Sequence, residues 1–336
     1  MAESILELDR VYKSFPIQRG LLDLVRGRSR AHVQAVTDVS LTLREGETLG
    51  LVGESGCGKS TLGRLIVRLL DPAAGRILYR GRDIARLGGT ELRQTRTRLQ
   101  MIFQDPYSSL NPRLTVGQAI AEPLRVHALV PRADVPAEVE RLLEQVGLAR
   151  AHAKRYPFEL SGGQRQRVGI ARALSVRPEI LIADEAVSGL DMSIQAQVLN
   201  LLADLRDELN LTMVFISHDL AVVEYLSDRI GVMYLGRLVE LGAAAKVFRG
   251  PGHPYTAGLL NAIPFPDPRV RTRAAAVVGE LPSAVRPPSG CVFRTRCPLA
   301  QPVCETLPPA VQLGDEGHWA ACHFAGAVSA PARSSA

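Results

Sequence analysis

The chain has 336 residues, of which 46% are hydrophobic and 22% are charged. This composition excludes a disordered chain and is typical of a folded protein with one large and one smaller unit. The net charge of +6 is spread along the chain, so it only weakly supports a polyanionic partner and does not exclude nucleic acid. No apolar run approaches the ~20 residues that cross a bilayer, and the acidic opening does not match a signal peptide. We therefore expect a cytosolic protein.

The first elements predict a sheet followed by a strand, a loop and a helix. Residues Ile5–Val11 and Val39–Leu43 alternate apolar and polar side chains, which is typical of half-buried strands in an antiparallel β flap. Thr48–Val52 is a short apolar run that leads into glycine, and Ser60–Leu70 has helical spacing. The Asp-Pro pair that follows Leu70 predicts the end of this helix.

The middle of the chain predicts a doubly wound α/β core with a helical insertion. Short β-like runs occur at Leu99–Phe103, Ile180–Ala183 and Met213–Ser217, with helix-like stretches between the later ones. Thr115–Leu148 instead places apolar residues on recurring helical faces without strand-like alternation. We expect a parallel-sheet core that carries a helical subdomain at about residues 105–175.

The composition changes after about Gly250. Of the 22 prolines, 13 follow that residue, together with four of the five cysteines. This change predicts a domain boundary between residues 1–250 and a small Pro- and Cys-rich extension at residues 251–336. The small and polar residues 326–336 are expected to be disordered.

Residues Gly53–Ser60 read GESGCGKS, which fits the pattern of a phosphate-binding loop between a strand and a helix. Glycines let backbone N–H groups turn towards phosphates, Lys59 can reach the β- and γ-phosphates, and the Ser60 hydroxyl can ligate Mg²⁺. A glycine-rich turn without a ligand is the alternative, and the strand and helix on either side disfavour it. The nucleotide-binding residues predicted here are Gly53, Glu54, Ser55, Gly56, Cys57, Gly58, Lys59, Ser60 and Thr61.

Two adjacent carboxylates, Asp184 and Glu185, follow the apolar run Ile180–Ala183. At the carboxyl edge of a parallel sheet, Asp184 can hold the Mg²⁺ shell while Glu185 points at the attacking water. A solvated strand end is the usual explanation of such a pair. The presence of the phosphate-binding loop favours the catalytic interpretation instead.

A third motif, Leu-Ser-Gly-Gly-Gln at residues 160–164, opens the predicted helix Gln164–Ser175. Backbone donors at a helix N-terminus can form a second anion site. The alternative is a serine N-cap followed by glycines. The residues predicted to contact nucleotide here are Ser161, Gly162, Gly163 and Gln164.

With these motifs in this order, residues 3–250 resemble an ABC-transporter nucleotide-binding domain, a P-loop NTPase cassette. The resemblance implies that Phe15 stacks on adenine, although Tyr12 competes for that role and Phe15 could be a core residue. It also implies that Gln104 senses Mg²⁺ and the transport domains and that His218 contacts the γ-phosphate. Asp191 is placed by the resemblance in the loop between subunits.

The same resemblance implies that two cassettes form each ATP site, because the Ser161 loop of one subunit covers the ATP held by the other. The segments His253–Thr256, Gly279–Pro282 and Phe103–Pro112 are similar to dipeptide and oligopeptide importer ATPases, in particular the dipeptide-type second ATPase subunit. The implied partners are a second ATPase subunit, two transmembrane permeases and an extracytoplasmic solute-binding protein, with no nucleic acid. The implied location is the cytoplasmic face of the cell membrane.

Other functions share these motifs. Importers of other solutes, such as nickel chelates, resemble peptide importers, and soluble ABC ATPases act on DNA or ribosomes without transport. About a hundred residues without sustained heptads separate the phosphate-binding loop from Leu160, which disfavours the chromosome type with its long coiled coil. A single phosphate-binding loop and a single Leu-Ser-Gly-Gly-Gln disfavour the two-cassette translation type.

The extension contains four cysteines, and a cytosolic location favours metal binding over disulfides. Their spacing lacks the close pairs of structural zinc sites, and the tails of the resembled importers hold an iron–sulfur cluster. We expect a [4Fe–4S] cluster that stabilises the tail, with Zn²⁺ or reduced thiols packed as small apolar groups as the alternatives. The predicted ligands are Cys291, Cys297, Cys304 and Cys322.

Overall fold

The computed structural model describes residues 4–17, 31–105, 109–263, 277, 279–309, 311–313 and 317–328. The strands in these ranges are β1 (Ser4–Pro16), β2 (His32–Arg44), β3 (Thr48–Val52), β4 (Ala74–Tyr79), β5 (Arg82–Asp83), β6 (Leu99–Ile102), β7 (Ile180–Asp184), β8 (Thr212–Ile216), β9 (Arg229–Tyr234), β10 (Arg237–Ala243), β11 (Val311–Leu313) and β12 (Trp319–Ala321). The α-helices are α1 (Lys59–Ile66), α2 (Gly89–Arg98), α3 (Val116–Val126), α4 (Val135–Gln145), α5 (Gly162–Leu174), α6 (Met192–Leu209), α7 (Leu220–Leu226), α8 (Ala244–Arg249), α9 (Pro254–Asn261) and α10 (Val303–Thr306).

These strands form two sheets. The smaller sheet has the order β2-β1-β4-β5 with antiparallel pairing throughout, and it is the predicted flap. The larger sheet has the order β11-β12-β10-β9-β3-β8-β7-β6. Its strands β9, β3, β8, β7 and β6 are parallel, whereas β10, β12 and β11 continue it in antiparallel pairing. The α/β fold with a parallel core, an antiparallel flap and a helical subdomain is therefore confirmed.

Both faces of the parallel sheet are covered, which explains why its strands are uniformly apolar. On β7, Ile180 and Ile182 belong to a core shared with the flap, whereas Leu181 and Ala183 belong to the core on the other face. Successive side chains of a strand point to opposite faces, so covering both faces removes the polar half of the usual alternation. The second core also contains buried residues of α3, α4 and α5.

Helix α1 begins near the predicted residue but ends at Ile66, four residues before Leu70. Arg68 adopts a positive φ of 56°, which ends regular helical geometry. Its buried guanidinium donates to the carbonyl oxygens of Ile84 and Leu87. These two hydrogen bonds stabilise the turn that follows the helix. Helical spacing in the sequence does not reveal such contacts.

The extension is joined to the cassette through the large sheet. Strand β12 pairs with β10 through Glu240 opposite Ala320 and Leu241 opposite Trp319. The boundary near residue 250 stays a prediction, but the described residues beyond it add two strands to the edge of the cassette sheet. Within the described ranges, no helix combines the length and apolar character that crossing a bilayer requires. Residues 106–108 of the importer-like segment and 329–336 of the predicted disordered end lie outside the described residues.

Candidate functional site

The phosphate-binding loop connects the buried strand β3 to α1, at the carboxyl edge of the large sheet. Gly53 and Gly58 have φ values of +150° and +108°. A Cβ at Gly53 would lie 2.3 Å from the carbonyl oxygen of Met233, and one at Gly58 would lie 2.2 Å from that of Ala35. Only glycine combines these backbone angles with such close main-chain contacts. The tight turn therefore depends on both glycines.

Lys59 lies at the first turn of α1 and is 4% exposed. Its ammonium donates to the carbonyl oxygens of Gly53 (2.7 Å) and Glu54 (3.0 Å), so it is held inside the loop. A buried ammonium beside a helix N-terminus suits the charge of a nucleotide's phosphates. The donor set of the loop therefore fits ATP.

Ser60 and Asp184 face one another at the next position. The Ser60 hydroxyl donates to Asp184 Oδ1 at 2.8 Å, across 124 residues of sequence. Asp184 is 1% exposed, and burial raises the pKa of its carboxyl, although the Ser60 hydrogen bond opposes that rise. A hydroxyl and a buried carboxylate are hard oxygen ligands of the kind Mg²⁺ prefers. These two residues fit the predicted Mg²⁺ site.

The Glu185 carboxylate lies close to two other predicted site residues, Gln104 and His218. Gln104 Nε2 donates to Glu185 Oε2 at 2.6 Å, and His218 Nδ1 lies 3.4 Å from Oε1. The three residues come from the ends of the parallel strands β6, β7 and β8, whose carboxyl ends meet at one edge of the sheet. The structure therefore brings together three side chains that are far apart in the sequence.

Residues 161–164 form a capping box at the start of α5. Ser161 Oγ accepts from the Gln164 N–H at 3.3 Å, and Gln164 Oε1 accepts from the Ser161 N–H at 3.1 Å. A Cβ at Gly163 would lie 2.4 Å from Ile194 at the start of α6. A Cβ at Gly162 would lie 3.3 Å from Leu190, just before α6. Both the predicted anion site and the alternative N-cap are compatible with this geometry.

Two predicted residues lie at the margin of the site. Phe15 is half-buried on β1 opposite Val33, two residues before Ala35, whose carbonyl oxygen faces Gly58. The Lys13 ammonium lies 5.3 Å from the centroid of its ring. Asp191 is exposed and directly precedes α6.

Sequence reasoning missed two residues of the extension that contact the phosphate-binding loop. The Tyr255 hydroxyl accepts from the Glu54 N–H at 2.8 Å. Arg296 forms two hydrogen bonds to the Glu54 carboxylate, at 2.6 and 2.8 Å. These partners are 201 and 242 residues away from Glu54, and no local pattern in the sequence signals such distant contacts.

The prediction of a [4Fe–4S] cluster is wrong. Among the described residues, which include all four cysteines, no group of three or more histidine, cysteine or carboxylate side chains could hold a metal ion. The same finding removes the Zn²⁺ alternative. All four are free thiols, and burial raises the pKa of Cys297 to about 11 and also raises the pKa of Cys291 and Cys322. A raised pKa disfavours the thiolate that metal binding needs. Cys291 and Cys304 are instead part of the hydrophobic core.

Comparisons with known proteins agree with the geometry of the ATP site. Residues 36–188 match the family model described as ABC transporter, and residues 239–304 match that of the oligopeptide/dipeptide transporter C-terminal region. The chain is 51% identical to the oligopeptide transport ATP-binding protein AppF of Bacillus subtilis, over 96% of this chain and 98% of that protein. It is 52% identical to the probable peptide ABC transporter ATP-binding protein y4tS of Sinorhizobium fredii, over 99% of this chain and 92% of that protein.

A solved structure is similar to the cassette part. The ATP-binding cassette MJ0796, a dimer in a post-hydrolysis state bound to ADP and Pi, matches with a TM-score of 0.62 and 28% identity. The match covers 71% of this chain and 98% of that one. The sequence relatives named above match nearly all of this chain at about 50% identity. The chain therefore belongs to the family of ABC transporter ATP-binding proteins.

Proposed function

We propose that the chain binds and hydrolyses ATP and thereby powers the import of peptides through a membrane transporter. The observation that carries the proposal is the convergence of Gln104, Glu185 and His218 beside the buried Lys59 and the Ser60–Asp184 pair. The peptide cargo is supported by the relatives named as peptide transport ATP-binding proteins and by the match of residues 239–304.

Each residue of the ATP site has a distinct proposed role. Lys59 binds the β- and γ-phosphates, and Ser60 and Asp184 hold Mg²⁺, which would neutralise phosphate charge when bound. Glu185 accepts the proton of the attacking water, because its carboxylate lies at the strand end next to Asp184. Gln104 and His218 hold the Glu185 carboxylate in place, and His218 also reaches the γ-phosphate.

A second cassette completes the site in this proposal. Gly162 and Gly163 lie close to Leu190 and Ile194, near the start of α6, and we infer that this motif covers nucleotide bound by another subunit. The solved neighbour is itself described as a dimer with ADP and Pi. We expect a second ATPase subunit as the partner, with Asp191 in the contact between the two.

The permeases are proposed to contact a groove beside Gln104. The groove has a volume of about 380 Å³ and lies between the end of α1, β6, α3 and α5. Phe103, which precedes Gln104, and Val126 line it and are 38% and 51% exposed. A permease segment in this groove would contact Phe103. Its neighbour Gln104 is hydrogen-bonded to Glu185. Movement of the groove can thus be coupled to hydrolysis. In this proposal the chain lies at the cytoplasmic face of the membrane, below permeases fed by an extracytoplasmic solute-binding protein.

The role of Glu185 is tested by replacing it with glutamine. Glu185→Gln should retain ATP binding but lower steady-state hydrolysis by ~10²–10⁴-fold, because the general base is lost. Glu208→Gln, at an exposed position of α6, is the matched control and should hydrolyse ATP at the wild-type rate. Hydrolysis by Glu185→Gln within a few-fold of wild type would contradict the assignment.

The transporter itself is tested by copurification. Tagged chain extracted from membranes in mild detergent should bring down a second ATPase subunit and two permeases. If the chain came down alone with full ATPase activity, a soluble ATPase would be the better description. If the permeases do copurify, identifying the associated binding protein and its ligand would establish the cargo.

A further inference from the structure

The second residue of the phosphate-binding loop, Glu54, is bound by the extension through both its main chain and its side chain. Its N–H donates to the Tyr255 hydroxyl at 2.8 Å, and its carboxylate accepts two hydrogen bonds from Arg296, at 2.6 and 2.8 Å. Tyr255 is fully buried, and the side chain of Arg296 is 5% exposed. The Glu54 side chain is 28% exposed, so the bidentate pair is geometrically specific and is shielded from solvent mainly on its arginine side.

An aromatic cluster fixes these two partners. Tyr234 lies 4.7 Å from Tyr255 and 5.2 Å from Phe293 between ring centroids, both in edge-to-face arrangements. The Arg296 guanidinium lies 5.9 Å from the centroid of the Tyr234 ring. Tyr234 follows Met233, whose carbonyl oxygen limits the space at Gly53. Strand β9 and the extension therefore pack against the same side of the loop.

The charge of Glu54 gives this contact a functional consequence. A carboxylate on a loop that binds a polyanion repels the phosphates unless a cation neutralises it. Arg296 supplies that cation from outside the loop, while Lys59 is held by loop carbonyl oxygens. Removing Arg296 would leave Glu54 uncompensated and its side chain without its bidentate partner.

We propose that Arg296 is a positioning residue for ATP binding, which neutralises Glu54 and holds the phosphate-binding loop in its binding conformation. The inference rests on the proposed ATP site and adds that the folded extension is required for full nucleotide affinity. Binding linkage is reciprocal, so bound ATP should in turn stabilise the extension against opening.

A double-mutant cycle on the full chain tests the proposal. The dissociation constant of Mg·ATP is measured by equilibrium dialysis for wild type, Arg296→Met, Glu54→Gln and the double variant. Arg296→Met should weaken binding about tenfold, or about 1.4 kcal/mol, but less than about threefold when Glu54 is already glutamine. Arg294→Met is the matched control, because Arg294 contacts Ser289 and Glu305 within the extension, and its affinity should match wild type.

Kinetics and proteolysis separate positioning from general stability. Arg296→Met should raise the KM for ATP and leave kcat close to wild type, since Glu185 and His218 keep their contacts. ATP should protect the extension of wild type from limited proteolysis, and Glu54→Gln should reduce that protection. Should Arg296→Met fail to fold, Arg296→Lys, which keeps the charge but not the bidentate geometry, should show intermediate affinity.

Three results would overturn the inference, and they distinguish a merely structural Arg296 from failure of the proposed function. If wild type binds ATP and Arg296→Met lowers only the melting temperature, with equal affinity in both Glu54 backgrounds, Arg296 is merely structural. If Arg296→Met does not fold, the same conclusion follows when Arg296→Lys changes ATP affinity equally, or not at all, in both Glu54 backgrounds. If wild type itself binds no ATP, the proposed function fails and the positioning role fails with it.

Discussion

His253 lies at the start of α9, and its burial makes the stability of the chain depend on pH. The residue is 1% exposed, and its Nδ1 accepts from the Tyr255 N–H at 3.1 Å as the N-cap of the helix. The main-chain N–H of His253 donates to the Glu240 carboxylate at 3.0 Å, and the Phe293 ring centroid lies 5.5 Å from the centroid of the imidazole. Burial lowers the pKa of the imidazole to about 3. The ring therefore stays neutral in the folded chain at every ordinary pH.

The size of the effect follows from the two pKa values. In the unfolded chain the imidazole has a pKa of ~6.5, so below that pH the unfolded state takes up a proton that the folded state does not. The free energy of unfolding is therefore unaffected by His253 above pH 6.5 and falls as the pH decreases towards 3. The slope is about 1.4 kcal/mol for each pH unit, which amounts to about 2 kcal/mol at pH 5.

Equilibrium urea unfolding of wild type and His253→Asn between pH 7.5 and 5.0 measures this contribution. Asparagine is a favoured N-cap and does not titrate, so the variant keeps an acceptor for the Tyr255 N–H. Between pH 6.5 and 5.0, wild type should lose about 2 kcal/mol more free energy of unfolding than the variant does. Parallel loss of stability in the two proteins would refute the reasoning that burial keeps His253 neutral.

Two further substitutions test the packing around the site. Gly58→Ala should abolish ATP binding, because its Cβ would lie 2.2 Å from the Ala35 carbonyl oxygen. Gly169→Ala is the control, because the space around that helix position is open, and it should bind ATP normally. Equilibrium dialysis measures both affinities. Glu240→Ala should lower the free energy of unfolding in urea by about 3–5 kcal/mol, because the buried carboxylate accepts from Gly252, His253 and His318. A loss below 1 kcal/mol would contradict that account.

Much of the ATP site could be predicted because it depends on local rules. Glycines followed by a lysine and a serine, between a strand and a helix, are typical of a phosphate-binding loop. The carboxyl ends of parallel strands meet at one edge of the sheet. Gln104, Glu185 and His218 are far apart in sequence but each follows a short apolar run, so the rule places them together. In the structure Glu185 is within reach of both other side chains, and their catalytic roles stay predictions.

The contacts of the extension could not be predicted in the same way. Strand β12 has three residues, which are too few to show an alternating pattern. Its pairing with β10 depends on tertiary structure that joins segments far apart in the sequence. The Arg296–Glu54 pair joins residues 242 positions apart, and neither residue type is unusual in its own segment. The metal prediction for the four cysteines of the extension was wrong for a related reason. Their number suggested a metal, whereas burial of each thiol depends on tertiary packing that spacing does not reveal.

The two adjacent carboxylates show how backbone conformation can separate chemical roles. Asp184 ends β7 in full burial, where the Ser60 hydroxyl donates to it and burial raises the pKa of its carboxyl. Glu185 has a positive φ of 47°, and its N–H donates to the Ile216 carbonyl oxygen, so the chain turns before its side chain reaches Gln104. A buried carboxylate is costly without a nearby cation, which makes the Asp184 position suited to a metal ion. The turn at Glu185 directs the second carboxylate to Gln104 and His218 rather than to Ser60, which is consistent with the separate role proposed for it.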